Sequence, residues 1–595
     1  MDVGDQILEL REQTKITLEE LALGICTPES LRNIELGKEV VSKLFMEIMY
    51  QRLGKSTDKL ELIVSEEVYE EEEQWVRFEE YLERGDQMSV NKVLENFLTK
   101  ISKDSNVHNM FYCRNRAYAE FRVGNNPIQA KEWMKKALDI TMPGWKRRPL
   151  QEYRISTLEM ENLLAYAKTQ LAIATELELR EAERLLLNCK QFIDERISDE
   201  EEHAKIFAKC AYLLAVLYLK QGKTAQAKQL AKRAFQELQT YGISYFMEPI
   251  LEILVQCNDD DTEKYELPYQ NYLTALQHVK QYIGEGWRFT DSIFKNCSQQ
   301  SCYIDHELFR EERIAQGYSQ EQMIQGVYKN PESLSRAERG KVTMRDSKLI
   351  RLFRKLGIEK SRYNGFVVTD RYEDLELKQQ IDILISRNHD VEAEEKLKEL
   401  KKRLDLNIAE NRRIVHGYEI AIGIEKGEKS KEELLKQAEE LLEETYRLQS
   451  HGAYRSPMDR EALLINQMGI LFQELGKIEE AKQLLYKITE AMQKSKVNMN
   501  KRSRKYSLLR SNLAKWEQSI LLAKENIKFT LECGKLRTLP MDYMTIACAI
   551  IDNPANLEIC RVMIKDIFYL CDLVQNDANK RIAGQYYYDK FKERL

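Results

Sequence analysis

Lys38 and Lys341 end the same phrase. Pro28-Glu29-Ser30-Leu31 and Pro331-Glu332-Ser333-Leu334 are each followed, at the same distance, by Glu-x-Gly-Lys: Glu35, Gly37 and Lys38 in the first copy, Glu338, Gly340 and Lys341 in the second. Proline at the first helical position and glycine just past the last one bound a short helix, and each copy sits in a compact helix-turn-helix pattern. The chemistry on offer is non-covalent. Cations and amides on one helix face can meet phosphates, which position a protein on a duplex, and base edges, which specify sequence. Readers of this type work as symmetric dimers whose recognition helices meet two half-sites. The chain looks like one unit duplicated in tandem, with both halves of such a dimer in one polypeptide.

The elements that must position these residues can be traced in order. In the first copy Ile7, Leu8 and Leu10 belong to a first helix, and Thr17-Leu18-Glu19-Glu20 is a capping box that starts a second. Leu21 and Ala22 point inward, Gly24 ends that helix, and Thr27-Pro28 caps a third with Leu31 and Ile34 inward. A fourth helix carries Met46, Met49, Tyr50 and Leu53 at helical spacing. The second copy repeats this with Ser319-Gln320-Glu321-Gln322, a turn over Gly326–Asn330 one residue longer, a stop at Gly340, and Leu349, Leu352, Phe353 and Leu356 on the fourth helix.

At Leu21-Ala22-Leu23-Gly24-Ile25-Cys26-Thr27, the Glu-x-Gly-Lys end and the helical repeats beyond, the sequence resembles the Rgg/PlcR-type regulators of Gram-positive bacteria. Members join an Xre-type helix-turn-helix to tetratricopeptide repeats, and many bind a short signalling peptide that changes their DNA binding. The resemblance implies contacts to double-stranded DNA from Thr17, Arg32 and Lys38 in the first copy, and from Ser319, Gln320, Ser335, Arg336, Arg339 and Lys341 in the second. Gln320 stands where the family has a phosphate- or base-contacting glutamine; the first copy has Leu18 there. Charge divides the copies in the same sense. Residues 1–60 hold 8 Lys/Arg against 11 Asp/Glu, and residues 304–363 hold 13 against 9. Because backbone binding depends on neutralising phosphates, the second copy is expected to be the stronger reader.

Between and after these modules the pattern becomes paired helices with a period of about 34 residues, that of tetratricopeptide repeats. Clear copies contain Met468-Gly469, Phe472, Gly476 and Ala481; Leu214-Ala215, Tyr218, Gly222 and Ala227; and Tyr118, Phe121, Ala130 and Ala137. Such repeats stack into a curved solenoid lined on its inner face by the first helix of each pair. Register places Asn115, Asn466, Gln473 and Asn512 on that face. An asparagine donates to and accepts from a peptide backbone at once, so these residues are the expected peptide contacts, with the second solenoid favoured because Tyr166 and Val216 replace two of its asparagines in the first.

The expected fold class is therefore all-α. Its expected domains are helix-turn-helix modules at 1–65 and 304–366, repeat solenoids at 66–285 and 367–595, and a linker at 286–303. Basic residues run along 494–505, and Lys146-Arg147-Arg148 forms a second basic stretch. Enzyme motifs are missing: Gly54-Lys55-Ser56-Thr57 imitates the tail of a phosphate-binding loop, but Met49 takes the place of its first glycine and a helix precedes it. Glu70–Glu73 and Asp259–Asp261 lack the glycine and terminal glutamate of a calcium loop. The 11 cysteines are scattered with no C-x-x-C, which fits neither a zinc site nor a disulfide framework. No apolar run reaches the roughly 20 residues of a membrane span, and the first residues lack a secretory signature. The chain is expected to be a cytoplasmic regulator without catalytic residues, metal or cofactor. Its expected partners are double-stranded DNA and a short signalling peptide, with a homodimer left open and no membrane. The alternative is a tetratricopeptide-repeat interaction scaffold, or a protein directed at response regulators, whose vestigial head modules only pack.

Overall fold

A computed structural model describes residues 3–39, 42–100, 105–257, 268–284, 301–342, 344–356, 363–365, 367–369, 371–427, 429–443, 457, 459–494 and 504–595. Residues 286–300 of the linker, Asp259–Asp261, Cys297, Gly357-Ile358 and the side chains of the basic stretch 494–505 lie outside the described residues. The architecture is all-α, a solenoid of helical repeats, and contacts cluster into two units. Among the described residues, the first comprises those within 1–57 and 70–276, and the second those within 58–69, 277–284 and 301–595.

In the first unit four short helices, Val3–Gln13, Leu18–Ala22, Pro28–Glu35 and Lys43–Arg52, form a head. Their boundaries follow local chemistry. The Thr17 hydroxyl accepts from the Glu20 amide at 3.1 Å while the Glu20 carboxylate accepts from the Thr17 amide at 2.9 Å. Thr27 caps the third helix and Gly37, at φ +65°, ends it in a conformation that costs glycine little. Ile7, Leu21, Leu31, Met46, Met49 and Tyr50 are fully buried between these helices. The repeats follow as helix pairs such as Asn106–Arg122 with Pro127–Thr141 and Glu200–Lys220 with Thr224–Tyr241. Each helix packs on the next, and first helices also touch the first helix of the neighbouring pair, the contact pattern of a solenoid.

The second unit has a matching head: Asp305–Ala315, Gln320–Ile324, Pro331–Glu338 and Asp346–Lys355. Its core joins Leu308, Phe309, Met323, Leu334, Ala337, Leu349, Leu352, Phe353 and Leu356. Repeats extend from Tyr372–Ser386 to Asp577–Phe591.

One element departs from the all-helical expectation. Leu60–Val64 is a strand, β1, at the centre of a three-stranded sheet in the second unit. It runs parallel to β2, Ser301–Ile304, and antiparallel to β3, Tyr363–Gly365. A domain ending at residue 65 and a linker reaching 303 do not anticipate this pairing. Ile63, fully buried, belongs to the core of the second head. The antiparallel register pairs Leu60 with Gly365, Glu61 with Asn364 and Leu62 with Tyr363. At the offset that carries Pro28 onto Pro331, each strand thus meets its own counterpart in reverse, centred on Glu61 and Asn364.

Candidate nucleic-acid interface

The third helix of the second head is held from beneath by a buried ion pair. Arg313 Nε and Nη2 donate to the two Glu338 carboxylate oxygens at 2.6 and 3.0 Å, and Nη1 donates to the Tyr318 carbonyl at 2.6 Å. The first head repeats this arrangement: Arg11 reaches Glu35 at 2.6 and 3.0 Å and the Ile16 carbonyl at 3.1 Å. Glu35 raises the Arg11 guanidinium above its ordinary value. A second device recurs as well. Lys355 Nζ donates to the carbonyls of Met323 and Gln325 at the end of the second helix, and Arg52 Nη1 donates to those of Leu21 and Leu23 at 2.9 and 2.7 Å. Glu35 and Glu338 therefore serve the core, while residues on either side of them, such as Arg32 and Lys38 or Arg336 and Arg339, face outward.

The outer faces differ. On the second head Arg336, Arg339 and Lys341 are exposed and make no hydrogen bond or ion pair with any described residue, and Ser335 is half-buried beside them. On the first head the counterparts of Arg336 and Arg339 are Asn33 and Leu36. Glu39 then closes over this face: its carboxylate accepts from Ser30 Oγ at 2.9 Å and Asn33 Nδ2 at 3.4 Å. Arg32 and Lys38 remain exposed there. The position matching Glu39 is Val342, 46% exposed and uncharged. The exchange is visible in the sequence at the shared offset, but its effect depends on Glu39 folding back onto Ser30 and Asn33, which spacing alone does not show.

Thr17 and Ser319 are exposed, but each hydroxyl already caps its own helix. Gln320 is half-buried, and its Nε2 donates to Glu338 Oε2 at 2.5 Å, so the amide extends the buried ion pair.

The first head is also fastened to its own repeats. Arg52 Nη2 and Nε reach Glu159 at 2.5 and 3.1 Å, with side-chain exposures of 2% and 0%, and Nη2 also donates to the Thr141 carbonyl at 3.2 Å. Ser56 donates to Glu202 at 2.9 Å, and Asn106 Nδ2 donates to the Gly24 carbonyl at 3.0 Å. Gly24 has φ +73°, and a Cβ there would lie 2.2 Å from the Thr141 carbonyl oxygen, so only glycine permits this approach.

No family model matches the chain, and neither does any curated protein. Among solved structures it is similar to Bacillus thuringiensis PlcR in complex with the peptide PapR7 and DNA, over 47% of this chain and 98% of that one, at 15% identity and a TM-score of 0.31. A monomeric mutant of IFIT1 with Gppp-AAAA matches 90% of this chain and 98% of its own, at 11% identity and a TM-score of 0.17. At such scores neither likeness carries an argument.

The residues expected to contact peptide divide into two that are buried and two that are half-buried. Asn115 is 1% exposed and lies against Arg114, whose Nη1 donates to its Oδ1 at 2.9 Å. Asn466 is 3% exposed and accepts from Asn512 Nδ2 at 2.7 Å. Neither presents an open amide, because register fixes which helix face a residue occupies and not whether the neighbouring helix covers it. Asn512 and Gln473 are half-buried, and Gln473 Oε1 accepts from Trp516 Nε1 at 2.6 Å. Trp516 lies over Gly469, where a Cβ would come within 2.9 Å of its ring. Among the described residues no helix is long and apolar enough to cross a membrane, and no cluster of three metal-ligating side chains occurs.

Proposed function

We propose that this chain is a DNA-binding transcriptional regulator in which the second head makes the sequence-reading contacts. The observation that carries the reading is the set of three exposed cations, Arg336, Arg339 and Lys341, without a partner among the described residues, on and just after a helix pinned from behind by Arg313 and Glu338. Pinning limits the entropy lost when the helix docks, and free guanidinium groups suit bidentate contact with phosphate or guanine. In this reading the two heads arose by tandem duplication, as the recurring ion pair and the self-matching strand register support, and later diverged. The first head, covered by Glu39 and fastened through Arg52, serves mainly as a structural part of its unit.

The repeats would take a short peptide, with Asn512 and Gln473 as the accessible contacts and Asn466 as the buried support of Asn512. Gel-shift titration of genomic fragments tests the DNA claim. Arg336→Ala with Arg339→Ala should weaken binding by at least tenfold and flatten the dependence of log affinity on log salt by about two; absence of specific binding by the wild type defeats it. A peptide that stabilises the wild type and Asn512→Ala equally removes the proposed peptide contact.

A further inference from the structure

The second head is completed by a segment that lies far from it in sequence. Residues 58–69 follow the first head along the chain yet belong to the second unit, where β1 supplies the central strand and Ile63 part of the core. Glu66, at the start of the helix Glu66–Arg84, continues this segment toward the outward-facing helix. Its Oε2 lies 3.7 Å from His306 Nε2, and His306, 5% exposed, stands at the start of the first helix of the second head with Nδ1 3.5 Å from Asp305 Oδ1.

Both side chains bear on one backbone atom. Gly340 has φ +69°, and a Cβ built on it would lie 2.5 Å from Glu66 Oε2 and 2.9 Å from His306 Nε2. The carboxylate and imidazole are therefore seated directly on the Gly340 Cα, between Arg339 and Lys341. A carboxylate beside the last turn of a helix is electrostatically unfavourable with the helix dipole, so packing against glycine and the imidazole contact hold it there, not attraction to the helix end.

We propose that Glu66 and His306 are positioning residues for the DNA contact of the second head, and that binding of DNA is thereby coupled to the seating of residues 58–69. The inference rests on the function proposed above and names a control of that same site. Seating Glu66 against Gly340 fixes the backbone from which Arg339 and Lys341 project; without that contact both cations ride on a looser helix end while β1 and Ile63 keep the head folded. Coupling of this kind is reciprocal, so DNA that favours the seated state must itself hold the segment down.

The test uses the full chain and a mixed-sequence duplex at low salt. Glu66→Ala should weaken binding five- to tenfold and reduce the log–log salt slope by between one and two, while amide exchange in the helices 305–355 stays at its wild-type rate. Glu66→Gln, which keeps the shape against Gly340, should retain most of the affinity. In the wild type, saturating DNA should slow exchange of the amides of Leu60–Val64. Wild-type affinity and slope in Glu66→Ala, or no slowing at Leu60–Val64, overturns the proposal while leaving DNA binding by the head intact. Loss of exchange protection throughout the head in Glu66→Ala also overturns it, since the residue would then be needed only for folding. A wild-type chain with no salt-dependent binding removes both readings together.

Discussion

Arg313 and Glu338 form a two-point ion pair beneath the third helix of the second head, with both side chains buried and a third guanidinium bond to the Tyr318 carbonyl. Removing one partner of such a pair leaves an uncompensated buried charge, which costs roughly 3–5 kcal/mol. Glu338→Ala should therefore open the second head locally. Amide exchange is the suitable measurement, because a chain of two units does not unfold in a single step. Residues 305–355 should lose protection and residues 3–35 should not; equal loss in both heads would contradict the local role.

The contrast between Glu39 and Val342 makes a prediction in both directions. Val342→Glu places a carboxylate where the first head carries one, and should weaken duplex binding about three- to tenfold at low salt, with the effect fading as salt screens it. Glu39→Val frees Ser30 and Asn33 in the first head. It should strengthen nonspecific binding modestly; fluorescence anisotropy against salt measures both.

Arg52 and Glu159 test whether the first head is fixed to its repeats. Arg52→Leu strands a carboxylate with no exposed surface, so about 3 kcal/mol or more should be lost. The double variant Arg52→Leu with Glu159→Leu should recover part of that loss. Chemical denaturation of the four variants gives the coupling, and strictly additive effects would show that the pair does not act as one.

Asp542 supplies a pH dependence. It has no exposed surface; burial pushes its carboxyl up from 3.8 to about 7, against hydrogen bonds from Ser511, Asn526 and Thr538 that pull it down. The Asn526 Nδ2 donor lies 2.8 Å from Asp542 Oδ2. The folded chain keeps a proton that the unfolded chain releases, so this contribution to stability is complete below about pH 4 and is lost as pH rises through about 7. Asp542→Asn, neutral at every pH, should lose less stability between pH 4 and 7 than the wild type. Parallel denaturation profiles for the two proteins would show that the carboxyl is already ionised in the folded state.

Ile63 tests the sheet. As a fully buried member of the second head's core, its replacement in Ile63→Ala should cost about 2–4 kcal/mol. The loss should appear as faster exchange in the helices of that head, although residue 63 lies more than 200 positions before them.

What the sequence determined by itself was local. Capping boxes at Thr17 and Ser319, prolines at 28 and 331, the glycine stops and the spacing of Met46, Met49, Tyr50 and of Leu349, Leu352, Phe353 all act within a few residues, so helix ends and core faces could be read without any partner. Arg336, Arg339 and Lys341 were legible for the same reason: their positions on a capped helix fix which way they face. Tertiary structure decided the pairings across long separations. Leu60–Val64 found its strands at 301–304 and 363–365, Gln320 turned to Glu338, Arg52 reached Glu159, and Asn115 and Asn466 were covered by neighbouring groups. Those outcomes depend on which surfaces meet, and a hydrogen bond or a buried amide carries no periodic trace in the chain that forms it.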